Sequence, residues 1–281
     1  METIYLNPTN LAHWQKRART SVIALGFFDG IHKGHRLVIE TAARKAKEKN
    51  LSLSVMSFFP HPKTILSNGK KRVDYLLPLS EKEKMLQTLG VDTFYIIEFD
   101  KDFAALSPEQ FVTKYLIGLG VVHAVAGFDY TYGSLGAGNM DRLKNDSGGL
   151  LEVTKVSKVE WCGQKISSSC IREKLSKGHV EELPNYLGYS YEVKCDWDGM
   201  LFKLSPYYTL PAPGRYAVTL KNEMGSTQTE VIVMEKQEGQ SLKCVKKIPI
   251  FMKGNLSIVW HRQIRVEDVK TKHVNTNVLV Y

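Results

Sequence analysis

Apolar and polar positions along this chain fall into blocks that switch between two periods. Val22–Leu25 is a short continuous apolar run, the pattern of a strand buried on both faces of a parallel sheet, and it stops at Gly26. After a turn, Leu37, Ile39, Ala42, Ala43 and Ala46 form a helical stripe that ends near Asn50. Leu51–Phe59 follows as a strand with Leu51, Leu53, Val55 and Ser57 on one face, which completes a βαβ unit. The order then recurs. Ser80–Glu83 reads as a capping box opening a helix that ends at Gly90, and Asp92–Phe99 as a strand. Ser107-Pro108-Glu109-Gln110 caps another helix, with Pro108 at its first position, Leu106 placed to staple against Phe111, and Gly118 and Gly120 closing it. Val121–Ala126 and Leu150–Val159 are further strands, and Ile166–Arg172 opens a helix that Gly178 ends. This alternation predicts an α/β fold, a doubly wound parallel sheet of Rossmann-like type. Residues 63–79 interrupt it as a long mobile loop carrying the basic Lys70-Lys71-Arg72, either a lid or a plain surface excursion. Beyond Leu187-Gly188 strands such as Thr229–Met234 and Leu256–Trp260 suit a small β-barrel, so the chain divides into residues 1–188 and 189–281.

A length of 281 residues with 43% apolar residues is enough for two cores. The net charge of +9 is spread along the chain, since residues 1–188 carry 25 Lys+Arg against 20 Asp+Glu and residues 189–281 carry 13 against 9. Without a concentrated basic arm, a nucleic-acid partner is not expected, and the excess suits polyanionic small substrates. Cys162, Cys170, Cys195 and Cys244 have no C-x-x-C spacing and read as reduced thiols. No run approaches the roughly 20 apolar residues of a membrane helix, and the N-terminus shows no leader pattern, so a soluble, unexported, cytoplasmic chain is expected. No metal ligands and no oligomeric state are assigned.

Four stretches carry candidate chemistry. In the turn after Leu25, His32 and His35 flank Gly34 at a helix start, where free N–H groups and the helix dipole favour a phosphate; the two histidines would otherwise be solvated turn residues. Pro60-His61-Pro62 ends the second strand and would hold Phe59 and His61 rigidly at a pocket edge, or merely stop the strand. Gly127-Phe128-Asp129-Tyr130-Thr131-Tyr132-Gly133 puts a carboxylate beside rings that stack on a flat substrate, or that face the core. Ile166-Ser167-Ser168-Ser169-Cys170-Ile171-Arg172 places hydroxyls at a helix start, where simple capping is their common use, with Arg172 one turn in to fork onto phosphate oxygens.

These stretches, taken together and in this order, resemble the nucleotidylyltransferase superfamily with its H-x-G-H signature, and within it the bacterial FAD synthetases. Gly26, Phe28, Asp29, Gly30, His32, Gly34 and His35 match G-x-F-D-G-V-H-x-G-H, Pro60-His61-Pro62 matches a family P-H-P, and Ile166–Arg172 matches I-S-S-T-x-I-R with Ser169 for Thr. In the G-x-[DN]-F-x-F-G stretch both Phe positions are Tyr130 and Tyr132. The resemblance covers about residues 20–188. It implies transfer of an adenylyl group from ATP to FMN, giving FAD and pyrophosphate, with Mg²⁺ or another divalent cation accompanying ATP. It further implies that His32, His35 and Arg172 act in catalysis. Gly26, Phe27, Phe28, Asp29, Gly34, Ser168 and Ser169 would line the nucleotide, and Phe59, His61, Pro62, Asp129 and Tyr132 the flavin.

The resemblance breaks in the second part. Bacterial FAD synthetases continue into a riboflavin kinase barrel marked by G-R-x-x-G-F-P-T-A-N, and the stretch Tyr191–Leu210 contains no Pro-Thr-Ala-Asn. Leu210–Val218 still resembles the family's L-P-x-x-G-V-Y-A-V. A barrel that keeps its architecture and has lost its kinase chemistry is expected. Two other readings stay open: adenylyl or cytidylyl transfer to another phosphate substrate, and a non-catalytic flavin-binding regulatory paralogue.

Overall fold

The computed structural model describes residues 1–70, 73–205, 207–236 and 239–265. The chain forms two compact units, Met1–Ile166 and Ser167–Tyr281.

The first unit is built on six parallel strands. They are β1 (Glu2–Leu6), β2 (Ser21–Leu25), β3 (Ser52–Phe59), β4 (Thr93–Glu98), β5 (Val121–Gly127) and, after a small hairpin of β6 (Thr131–Tyr132) and β7 (Gly138–Asn139), β8 (Glu152–Val156). Their order is β1-β4-β3-β2-β5-β8. From β2 the chain winds one way through β3 and β4 and then returns to β5 on the other side. The crevice at that reversal lies at the carboxyl ends of β2 and β5, where open α/β sheets bind ligands. Alternate residues feed two cores: Ile23, Leu25, Met56, Ala124 and Ala126 face one, while Val22, Ala24, Val55, Phe94 and Val125 face the other. All five residues of β2 are buried, as a continuous apolar run in a central parallel strand requires.

The helix Lys33–Lys49 covers the second core with Val38, Ile39, Ala42 and Ala46, and Asn50 ends it in the left-handed conformation. Leu37, expected on the buried stripe, is exposed, and Val38 takes its place. The Ser107 capping box forms as expected, with Gln110 N–H on the Ser107 hydroxyl and the Gln110 carbonyl accepting from Ser107 N–H. The Ser80 box does not form. The helix Leu79–Thr88 begins two residues earlier, after Pro78, so Ser80 sits inside its first turn. Within 63–79, a continuous loop is also incorrect: Pro62–Leu66 is a helix, and Tyr75, Leu76 and Leu77 are buried. Lys71 and Arg72 lie outside the described residues. Strand β1 was not anticipated; it pairs with β4 and buries Ile4 and Leu6. A last hairpin, β9 (Glu160–Trp161) with β10 (Gln164–Lys165), closes the unit.

The second unit opens with the helices Ser168–Ser176 and Leu183–Leu187 and continues into an antiparallel sheet. Its strands are β11 (Glu192–Trp197), β12 (Phe202–Leu204), β13 (Gly214–Asn222), β14 (Gly225–Lys236), β15 (Gly239–Cys244) and β16 (Gly254–Gln263). The order β12-β11-β16-β13-β14-β15 brings the edge strands β12 and β15 near one another, so the sheet nearly closes into a barrel. Along β11, Val193, Cys195 and Trp197 point inward in strict alternation. The expected strands Thr229–Met234 and Leu256–Trp260 fall inside β14 and β16. By packing, the units divide at Ile166/Ser167, earlier than Gly188. The segment 168–187 joins the barrel's unit, where Ala212 N–H donates to the Leu175 carbonyl and Gly178 lies against Tyr216 and Gln263.

Candidate functional site

The turn between β2 and the helix Lys33–Lys49 carries the two candidate histidines. It is tight: Phe28 (φ 55°) and Gly30 (φ 81°) adopt left-handed conformations, and Phe28 is buried. Asp29 is also buried, and its carboxylate accepts the N–H groups of Leu77 at 3.1 Å and Leu76 at 3.2 Å. The matched F-D pair therefore builds the turn and ties the 75–77 strap to it; neither side chain offers a face to a nucleotide. This corrects the expectation that Phe28 and Asp29 contact it.

His32 caps the helix, its Nδ1 accepting from His35 N–H at 3.2 Å. An Nδ1 that accepts carries no proton, so the imidazole proton sits on Nε2 and can be donated. The two rings stack, with centroids 3.6 Å apart and planes 17° from parallel. Gly34 leaves room beside the stack, since a Cβ there would stand 3.2 Å from the His32 ring and press on it. Burial pushes the pKa of His32 down to about 4, with Asp129 acting upward and Lys165 downward. Burial likewise holds His35 well below the ordinary histidine range, reinforced by His32 and Lys82. Both imidazoles are neutral at neutral pH. His35 Nδ1 is buried with no hydrogen-bond partner among the described residues. The solvated-turn alternative does not fit this geometry: His32 is only 5% exposed.

The end of β3 meets this turn through rings. His61 packs edge-on against Phe27 with centroids 4.5 Å apart, and its Nδ1 caps the short helix by accepting from Lys63 N–H. Pro62 is that helix's first residue. Tyr75 lies over Phe27 at 6.0 Å and near Phe59 at 6.3 Å, and its hydroxyl oxygen accepts from His61 N–H. Phe27, Phe59 and His61 are thus gathered around Tyr75, a residue of the stretch 63–79 whose sequence predicts a mobile loop.

At the end of β5, Asp129 is exposed and paired with Lys165, whose ammonium also lies 4.7 Å from the Phe128 ring centre. Tyr132 departs from expectation. It is buried among Phe111, Leu116 and Leu143, with its hydroxyl on Asp146, so the core-facing alternative holds and the flavin contact assigned to it is withdrawn. In the second unit, Ser167 is the residue that caps the helix Ser168–Ser176, accepting from Cys170 N–H. Ser169 is exposed and Arg172 half-buried one turn in. The four cysteines are free thiols.

Two cations went unnoticed in the sequence. Lys165 stands just before the serines, and its pairing with Asp129 is a long-range contact. Lys82 is 3% exposed and reaches the Phe27 carbonyl at 2.7 Å from the helix Leu79–Thr88. On a helix otherwise lined with Glu and Lys it reads as a surface residue. Among the described residues no group of three or more His, Cys, Asp or Glu that could hold a metal ion lies together, and no helix is long and apolar enough to cross a membrane.

Comparison with known proteins agrees with this arrangement. A family model described as FAD synthetase matches residues 14–170. A bifunctional riboflavin kinase/FMN adenylyltransferase from Listeria monocytogenes is 45% identical over 195 residues, 69% of this chain and 62% of that protein. A FAD synthetase from the same organism is 33% identical over 206 residues, 72% of this chain and 82% of its own length. The match spans 62% and 61% of the bifunctional relatives from Listeria and Bacillus subtilis, less than two thirds of each. Over all of both chains, a crystal structure named as a macrolide-efflux protein from Streptococcus pneumoniae superposes with a TM-score of 0.81 at 26% identity. With the H-x-G-H turn at the carboxyl end of the central parallel strand and a family model matched across more than half of its length, the chain belongs to the FAD synthetase family.

Proposed function

We propose that the chain transfers the adenylyl group of ATP to FMN, releasing pyrophosphate and forming FAD. The observation that carries this reading is the stacked, neutral His32–His35 pair at the N-terminus of a 17-residue helix, at the carboxyl end of β2. A phosphate monoester with a second pKa of about 6 is already largely dianionic at neutral pH, so FMN needs no protein base to become a nucleophile. An FMN phosphate oxygen forms a bond to the α-phosphorus as the bond from that phosphorus to the β-bridging oxygen breaks, and the electron pair leaves with pyrophosphate. Catalysis is then alignment and charge stabilisation.

In this reading His32 and His35 donate N–H groups to the triphosphate, helped by the helix N-terminus. Gly26, Phe27 and Gly34 shape the backbone beside it. Ser168, Ser169 and Arg172 take the leaving phosphates, a role that rests on their match to I-S-S-T-x-I-R. Phe59, His61 and Pro62 form an edge for the flavin, with Asp129 beside the turn. Mg²⁺ enters with ATP as part of the substrate. The stretch Tyr191–Leu210 lacks the Pro-Thr-Ala-Asn whose Thr and Asn would hold nucleotide phosphates in phosphoryl transfer, so we assign the barrel a structural or interaction role.

The test is a paired incubation with ATP and Mg²⁺, one tube given FMN and the other riboflavin, with flavins separated afterwards. FAD from FMN and no FMN from riboflavin is the expected result. Conversion of riboflavin to FMN would refute the loss of kinase chemistry, and no FAD from FMN would refute adenylyl transfer.

A further inference from the structure

The least expected group in the first unit is Lys82. Its ammonium donates to the Phe27 carbonyl at 2.7 Å and to the Ser57 hydroxyl at 3.3 Å, and lies 4.7 Å from the centre of the Phe27 ring. Ser57 donates to the same carbonyl at 2.8 Å, so two donors converge on one oxygen of the turn. Among the described residues no carboxylate lies within ion-pairing distance of Lys82. Glu81 on its own helix pairs with Lys84, Glu83 faces the Tyr5 hydroxyl, and Asp29 receives the N–H groups of Leu76 and Leu77. A cation this deeply buried is costly when its hydrogen bonds go only to neutral groups and Asp29 acts on it from beyond pairing distance, and an apolar side chain would fill the space without that penalty. A charge kept there is explained if an anion completes the site.

We propose that Lys82 is a positioning residue for the nucleotide turn, its ammonium fixing the Phe27 carbonyl and keeping a positive charge beside the His32–His35 pair in readiness for a triphosphate. The neutral histidines supply donors but no charge, and Lys82 supplies the charge they lack. Burial lowers its pKa to about 8, opposed by Asp29, and His35 is the titratable group on the neighbouring helix that feels it. The ammonium is therefore lost on moderate alkalisation. This inference rests on the adenylyl-transfer reading.

The experiment compares the wild-type chain with Lys82→Gln, which keeps a donor and loses the charge, and with Lys82→Met, which loses both. Melting temperature, FMN affinity from flavin fluorescence, and kcat/KM for ATP are measured from pH 6.5 to 9.5. The expected result is FMN affinity within about 2-fold of wild type and kcat/KM for ATP lower by about 10-fold or more in Lys82→Gln, and further in Lys82→Met. Wild-type kcat/KM should decline above about pH 8, and that limb should be absent from Lys82→Gln. Variants that melt earlier but keep kcat/KM per folded molecule would make Lys82 purely structural and overturn the proposal. Should neither variant fold, a flat wild-type profile between pH 7 and 9.5 overturns it equally. A wild-type chain that makes no FAD defeats the adenylyl-transfer reading instead, a result distinct from wild-type turnover matched by Lys82→Gln.

Discussion

A His35→Ala chain is expected to turn over FMN and ATP about 10²- to 10³-fold more slowly than wild type, with FMN affinity little changed. That is the usual cost of removing one donor aimed at charge developing in a transition state. The geometry behind the expectation is specific. His35 stacks on His32 with an unpartnered, buried Nδ1, and burial keeps its ring neutral, so its loss removes a preorganised donor and no charge. His32→Ala should match this loss and add a second, because Nδ1 of His32 also caps the helix. Removal of a side-chain cap costs about 1 kcal/mol, so His32→Ala should melt at a lower temperature than His35→Ala. Acid should act on the same pair. Both folded pKa values lie below the ordinary value of 6.5, so the unfolded chain takes up protons first. The stability the pair contributes is complete above about pH 6.5 and is lost as pH falls toward 4. Stopped-assay kinetics and thermal melts on the two variants check the claim. Unchanged turnover in both would return the histidines to a structural role.

The second large effect concerns where the chain can be cut. Residues 1–188 as a separable catalytic unit is the division proposed from the motifs, and packing sets a condition on it. Leu175, Val180, Leu183, Tyr186 and Leu187 are all buried, and the segment that carries them packs within the second unit, with Val180–Glu182 against β16. A chain ending at Gly188 loses β11–β16. Exposing a buried aliphatic or aromatic side chain costs about 1.5–3 kcal/mol. Several at once approach the whole stability of a typical domain, so the last twenty or so residues of the fragment should come undone even if the parallel sheet survives. The fragment should therefore melt earlier, bind a hydrophobic dye, and be cleaved by protease near the helix Ser168–Ser176. Should Arg172 and Ser168 act on phosphates as proposed, FAD formation by the fragment will fall in step with that unfolding. A fragment as stable and as active as the full chain would show the barrel to be dispensable for both.

What was legible in the sequence and what was not follows from the range of each interaction. The run Val22–Leu25, the turn after it and the helix start are local patterns, and β2 and the helix Lys33–Lys49 follow from them directly. The Ser107 box was equally local and formed as read. The Ser80 box and the place of Leu37 failed locally, while the larger failures involve partners far along the chain. Tyr132 was ambiguous because a ring at a strand end serves a ligand or the core equally well, and Asp146 decided it. The strap 75–77 has the sequence pattern of a loop because its anchor, Asp29, lies nearly fifty residues away. Lys82 carried the pattern of a solvated helix face, and only the fold brings the Phe27 carbonyl to it. Strand β1 is too short to declare itself until β4 supplies a neighbour.

The central claim is transfer of the α-phosphoryl end of ATP, with its adenosine, to a flavin phosphate. It is tested most directly by following label from each end of the nucleotide. Full-length chain is incubated with FMN, Mg²⁺ and ATP labelled either at the α- or at the γ-phosphorus, and flavins and phosphates are separated. The account predicts α-label in a flavin that migrates with FAD and γ-label in pyrophosphate, in equal amounts. Label from the γ position in any flavin, or α-label that never leaves the adenine nucleotide pool, would contradict it.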